Sequence, residues 1–370
     1  MKILSDESQK RYNIIKLQYH DGENSQTHQH PKNITIVKLD KNLEKELYIS
    51  DKIDKIPFFH LYFQTIHIKR QLSYVNSTST TSLRQQKEEI PLEYWEKIVS
   101  SNNSNANTFK LVETSSNLTN SISIYNYDEW FNKFDNKKEI LSNVFNLCFF
   151  VLDGLQILQT NDILLLNFSK QNLCFNQFGK PFICKFNQCI EKSTLNKNSQ
   201  ITCNKDILYE PIEMFVIDFL LKNIHIHSLS NHQIELIVKK YIENHSIISN
   251  ISVHMREKYY EDSVKYLQVL KNKPYIEILN FLLNHANTWD NYGFHMFFLK
   301  EVLLDNATAT VPTTVTSTPF ITEDSKVFWK GFIDIFMKNI LCNPNERHNI
   351  QQTKNVVIDY LHINTKHLQI

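Results

Sequence analysis

The rhythm of apolar and polar positions changes about a third of the way along the chain. Up to residue 125, short runs rich in β-branched and aromatic residues predict strands: 34–39 (ITIVKL), 61–68 (LYFQTIHI) and 109–113 (FKLVE). Polar stretches at 76–82 (NSTSTTS) and 100–108 (SSNNSNANT) separate them and read as connectors. From Tyr127 onward the spacing becomes helical. Ile140, Val144, Leu147, Val151, Leu155 and Leu158 recur every three or four places, one apolar stripe of a long helix. A strand pair is then expected at 173–176 and 181–186 around a Gln177–Lys180 turn (QFGK). Helices should dominate after Glu210, apart from a Thr- and Pro-rich loop at 306–319. This order predicts an α+β fold, with a β-rich part at 1–126 and a mainly helical part at 127–370.

Composition narrows the chemistry. The chain has 370 residues, 40 Lys+Arg and 39 Asp+Glu, so its formal charge is 40 − 39 = +1. That balance argues against a broadly basic nucleic-acid binder. Only 5 glycines occur, where average usage of about 7% would give roughly 26, which argues against any function that needs a Gly-rich phosphate loop. Six cysteines without CxxC spacing read as reduced, mostly buried thiols. The first residues lack an apolar signal region, and the most hydrophobic stretch, 146–158, is shorter than the roughly 20 residues of a spanning helix. The sequence therefore predicts a soluble, cytoplasmic protein with no membrane or nucleic-acid partner.

Several segments then share a spacing. The stretch 161–175 (NDILLLNFSKQNLCF) follows the long helix and precedes the strand pair and Ile183–Asn187 (ICKFN). Further on come Trp289-Asp290-Asn291-Tyr292-Gly293 and a stretch ending Asn343-Pro344-Asn345-Glu346-Arg347, with Glu210-Pro211-Ile212-Glu213 between hairpin and helices. Together they resemble the C-lobe of the protein kinases, and more narrowly the kinase-like proteins of large nucleocytoplasmic DNA viruses. Kinases carry a catalytic loop H-R-D-L-x-x-x-N, then D-F-G. With Asn172 as the loop Asn, Asn167 falls at the catalytic Asp, Leu165 and Leu166 at the His and Arg, and Lys185 at the magnesium-binding Asp. Asp290 matches the buried Asp that braces the catalytic loop. Arg347 matches the Arg that pairs with a Glu, here Glu213.

The resemblance implies a bilobal protein-kinase-like fold. It has a reduced β-rich N-lobe and a helical C-lobe, with a degenerate catalytic loop at 161–187 and a helical insertion at about 214–285. In the N-lobe, Lys38 is the counterpart of the ATP-contacting Lys and Glu46 of its helix partner. The function implied is that of a pseudokinase acting by protein binding or scaffolding, in a host cytoplasm or a virion. An atypical active serine/threonine kinase and a virion assembly protein of kinase origin are the alternatives, and the active kinase would need Asp153 or Asp162 as its acid.

The substitutions decide between these readings. Kinase catalysis is positioning plus charge neutralisation by magnesium, with an Asp taking the hydroxyl proton. Asn167 cannot take that proton near neutral pH. An ammonium at Lys185 repels a hard cation that wants oxygen ligands. One unit-charge interaction at about 4 Å and an effective dielectric near 20 is of order 4 kcal/mol, so reversing a ligand's sign outweighs ordinary compensation. No metal site and no firm cofactor are expected. ATP held without a normal magnesium site is the one ligand left open, with Lys185 against a phosphate. His225, His227 and His232 lack a carboxylate or Cys nearby, so no metal site is expected of them. Lys170 is expected to face water, Cys184 and Cys189 to be core and loop residues, and Phe149, Phe150 and the 294–298 aromatics to lie in the core.

Overall fold

The computed structural model describes residues 2–3, 15–19, 32–38, 40–75, 108–116, 124–133, 137–197, 210–223, 225–226, 228–303 and 326–364. The fold is mixed α+β, and the chain divides into two compact units. One comprises 1–123 with 185–187, the other 124–184 with 188–370. The expected loop at 306–319, the connector at 76–82 and His227 lie outside the described residues.

The first unit is built on one antiparallel sheet with strands β1 (Lys2–Ile3), β2 (Ile15–Tyr19), β3 (Lys32–Lys38), β4 (Ile66–Val75) and β5 (Thr108–Ser116). Their order is β1-β2-β3-β5-β4. Helix α1 (Lys41–Ile53) follows β3 directly, started by Asp40, whose carboxylate accepts the Leu43 N–H at 2.8 Å. It packs on β4 and buries Leu43, Ile49 and Ile53.

The strand expected over 61–68 begins only at Ile66. Phe58 takes a left-handed conformation (φ 59°) and Phe59–Leu61 form a 3-10 turn. Buried Thr65 then closes the loop by donating its hydroxyl to Asp54 at 2.8 Å. Aromatic content signalled a strand there, but the turn after Pro57 prevailed.

In the second unit, β6 (Tyr125–Asn126) leads into α2 (Tyr127–Phe131), opened by an Asn126–Glu129 capping box. Helix α3 (Lys137–Thr160) buries Val144, Leu147, Val151, Leu155 and Leu158 of the expected stripe, while the Ile140 side chain lies outside the described residues. Phe149 and Phe150 are only half-buried, because they sit on the flank of that stripe. Strand β7 (Ile163–Leu164) pairs with β10 (Ile190–Glu191). Between them β8 (Leu173–Phe175) and β9 (Pro181–Ile183) form the expected hairpin, but its second strand stops three residues before the expected end at 186, where Phe186 begins a 3-10 turn. Its turn needs Gly179 at φ +78°, and Asn176 accepts the Phe178 and Lys180 N–H groups at 3.0 Å each. Trp130 stacks on Phe175 beneath it, ring centroids 4.3 Å apart.

Helices follow: α4 (Ile212–Lys222), α5 (Asn231–Asn244), α6 (Val253–Gln268), α7 (Tyr275–Leu283) and α8 (Trp289–Phe297). A π-helical turn (Phe298–Leu303) extends α8, and α9 (Lys326–Leu341) and α10 (Ile350–Asn364) end the described chain. Every residue of α8 is buried. It lies against α3 and α9, where Phe294, Phe298, Phe332 and Phe336 pack ring to ring. Among the described residues no helix is long and apolar enough to cross a membrane.

Candidate functional site

The second unit holds a loop of unusual backbone between β7 and β8. Leu166 and Asn167 are both left-handed, at φ 49° and 50°. Asn tolerates that region; Leu does so at a cost of about 1 kcal/mol or more. The carboxylate of Asp290 on α8 offsets the cost. Its Oδ2 accepts the Leu165 N–H at 3.0 Å and its Oδ1 the Leu166 N–H at 2.9 Å, all in the interior. Burial raises the Asp290 carboxyl to about 6, while the two N–H groups pull it back down. Asn167 follows at once, its Oδ1 buried without a hydrogen-bond partner.

Asn172 closes the other end of this loop. Its Oδ1 accepts the Ser169 N–H at 3.0 Å, and its Nδ2 donates to the Cys184 carbonyl at 3.3 Å. The Cys184 N–H returns to the Asn172 carbonyl at 2.8 Å. The side-chain oxygen thus caps the loop backbone, the role an Asn in this setting most readily takes.

In the first unit, segment 185–187 lies with α1. Phe186 is fully buried and meets the Phe63 ring edge-on at 6.2 Å. Glu46 accepts a hydrogen bond from the Phe186 backbone. Burial pushes the Glu46 carboxyl up to about 7, against that hydrogen bond and the nearby Lys185 ammonium. Lys185 itself is left-handed (φ 61°) and exposed. The structure therefore brings Glu46 and Lys185 together. Lys38 ends β3, in register with Leu111 of β5.

Glu213 and Arg347 are joined in the second unit. Nη1 reaches Oε1 at 2.8 Å and Nη2 reaches Oε2 at 3.2 Å, the forked geometry that suits guanidinium and carboxylate. Trp289 Nε1 donates to the same Oε1 at 3.3 Å, and the guanidinium lies 4.8 Å from the Tyr292 ring centre. Burial works against the arginine's charge, but Glu213 outweighs it and holds the pKa above its ordinary value.

Two arrangements had no sequence signal. Lys170, expected to face water, bonds Asp128 at 3.0 Å and approaches Glu301 at 3.6 Å. With Tyr127, Phe131 and Asn132 these three line a cavity of about 300 Å³. The second is a directed chain. The Nδ1 of buried His245 accepts from Ile247 and Ile248 N–H groups, so Nε2–H donates to Tyr292 Oη at 2.8 Å. Tyr292 bonds Tyr241 at 3.0 Å, which donates to the Glu210 carbonyl at 3.0 Å.

Asp153 and Asp162 each have a partner of their own. Asp153 on α3 pairs with Lys354 of α10 at 2.5 Å, and Asp162 accepts from Ser193, with Oγ at 2.5 Å. Cys184 and Cys189 are both buried, while His225 and His232 are exposed. Among the described residues no three His, Cys, Asp or Glu side chains gather as a metal site. No protein family matches the chain, and no curated protein matches it either.

Proposed function

We propose that this chain has a protein-kinase-like, bilobal frame and acts as a pseudokinase, a protein-binding or scaffolding module without phosphoryl transfer. The observation that carries the reading is the Asp290 carboxylate on the Leu165 and Leu166 N–H groups. It braces the loop that in the kinase template ends at the catalytic Asp, and here ends at Asn167. A buried carboxylate spent on two backbone donors supports the shape of a loop rather than its chemistry. Asn167 then supplies no base, and Lys185 supplies a cation where magnesium needs an anion. The partners that Asp153 and Asp162 already have, Lys354 and Ser193, support the reading without a substitute acid. ATP held through Lys185 without magnesium is the one ligand this reading leaves open.

The test is incubation of the full chain with labelled ATP, Mg²⁺ or Mn²⁺ and generic protein substrates. No label should be transferred. Transfer that disappears in Asn172→Ala, at unchanged melting temperature, would overturn the reading in favour of an active kinase.

A further inference from the structure

The loop between α1 and β4 holds apolar side chains in water, and its backbone is strained where it does so. Residues 57–62 read PFFHLY. Phe58 is 72% exposed and Leu61 42%, with Pro57 and His60 exposed beside them. Phe58 is left-handed, at φ 59° and ψ 20°. That region favours glycine and is a genuine outlier for a bulky side chain. Packing does not offset the strain, because most of the ring lies in water. Strain kept without burial points to a conformation held for binding.

The loop is fastened from within. The Leu61 N–H donates to the Phe58 carbonyl at 3.0 Å, which sets both exposed residues on one turn. The Phe59 N–H donates to the Ile56 carbonyl at 3.2 Å, and the Tyr62 and Phe63 N–H groups to the Phe59 carbonyl at 2.9 Å each. Ile56 and Phe63 are buried at the base. Asp54 ties the far end, accepting from Thr65 at 2.8 Å and lying 3.3 Å from His67. A projecting ring on a fastened turn loses little freedom when it binds.

Shape, size and charge select the partner. A projecting phenyl ring needs a concave apolar pocket, and buried aromatic anchors of this kind carry much of the energy of protein interfaces. A stable dimer buries about 800 Å² and roughly 20–30 residues on each side, far more than this loop offers. A symmetric contact would also set the same projection against itself. The neighbouring charges, Asp51, Lys52, Asp54 and Lys55, cancel, so no cationic surround draws the loop to anionic lipid or to nucleic acid.

We infer that Phe58 and Leu61 form a docking projection for an apolar pocket on another folded protein, in a transient complex. This rests on the protein-binding reading above and gives that binding a place on the first unit. The labelled-ATP assay does not involve the loop, so the two can fail separately.

The test uses the full chain with photoreactive benzoylphenylalanine in place of Phe58, irradiated in an extract of the cells in which the chain is made. The cross-linked protein is identified, purified and titrated against wild type, Phe58→Gly and Leu61→Ser. Cross-links inside an apolar pocket are expected, with affinity at least tenfold weaker for both variants. Phe58→Gly should melt no lower than wild type, because glycine takes the left-handed backbone freely. No cross-linked protein, cross-links only to a second copy or to lipid, equal affinity for the variants, or a lower melting temperature of Phe58→Gly would each overturn the inference.

Discussion

Arg347 and Glu213 meet through two parallel hydrogen bonds, with 1% and 0% of their side chains exposed. Neither charge has water to fall back on. Breaking a buried pair from one side costs about 3–5 kcal/mol. Arg347→Ala should therefore lower stability by about that amount, read by chemical denaturation. Arg347→Lys should recover only part of it, since an ammonium cannot make the fork. Unchanged melting of Arg347→Ala would remove the pair from the account.

Asp290 predicts a pH dependence of definite sign. Its carboxyl lies near 6 in the fold and 3.8 unfolded, with burial the larger cause. Between those values the folded chain holds more protons, so this group's stabilising contribution is full below 3.8 and is lost as pH rises through 6. Asp290→Asn removes that loss, and its stability should rise relative to wild type as pH goes from 4 to 6. A difference between the two chains that stays constant with pH would contradict the burial of this carboxyl.

Glu46 works in the same direction and over a higher window, from 4.5 to about 7. Glu46→Gln keeps an acceptor for the Phe186 N–H while removing the proton linkage. Its stability should gain on wild type across that window by an amount on the order of 3 kcal/mol. A stability difference between the two chains that is the same at pH 5 and pH 7 in urea titrations would show that Glu46 is solvated.

His245 carries the opposite sign. Burial lowers its pKa to about 3, so it stays neutral in the fold and protonates when unfolded. Its contribution is full above 6.5 and is lost as pH falls toward 3. Nitrogen NMR should find the proton on Nε2 and no titration between pH 5 and 8. A titrating ring in that range would contradict the chain to Tyr292.

Gly331 is set by a close approach. A Cβ there would meet Tyr360 Oη at 2.5 Å and two of its ring carbons at 3.1 Å, while that hydroxyl is bound to the Phe328 carbonyl. Gly331→Ala should cost about 1–3 kcal/mol, the usual penalty of overpacking. Unaltered stability would mean that α10 can shift away from α9.

Much of the second unit was legible because its signals are periodic or local. The stripe from Val144 to Leu158 and the QFGK turn each depend on neighbours in sequence. The Glu213–Arg347 pair and the position of Asp290 were expected only from the resemblance to the kinases, since 134 and 125 residues separate the partners. The first unit was read less well. Aromatics at 61–63 imitate a strand, and only the turn at Phe58 reveals where β4 begins. The Lys170 cluster and the His245 chain left no trace, because their partners are scattered along the chain and chosen by packing.

In the proposed reading, Lys185 stands where magnesium would need an anion. A thermal-shift panel of ATP, ADP and GTP, each with magnesium and with EDTA, tests it most directly. The account predicts melting temperatures that do not depend on magnesium, whether or not a nucleotide raises them. Stabilisation by ATP that appears with magnesium and vanishes with EDTA would contradict it.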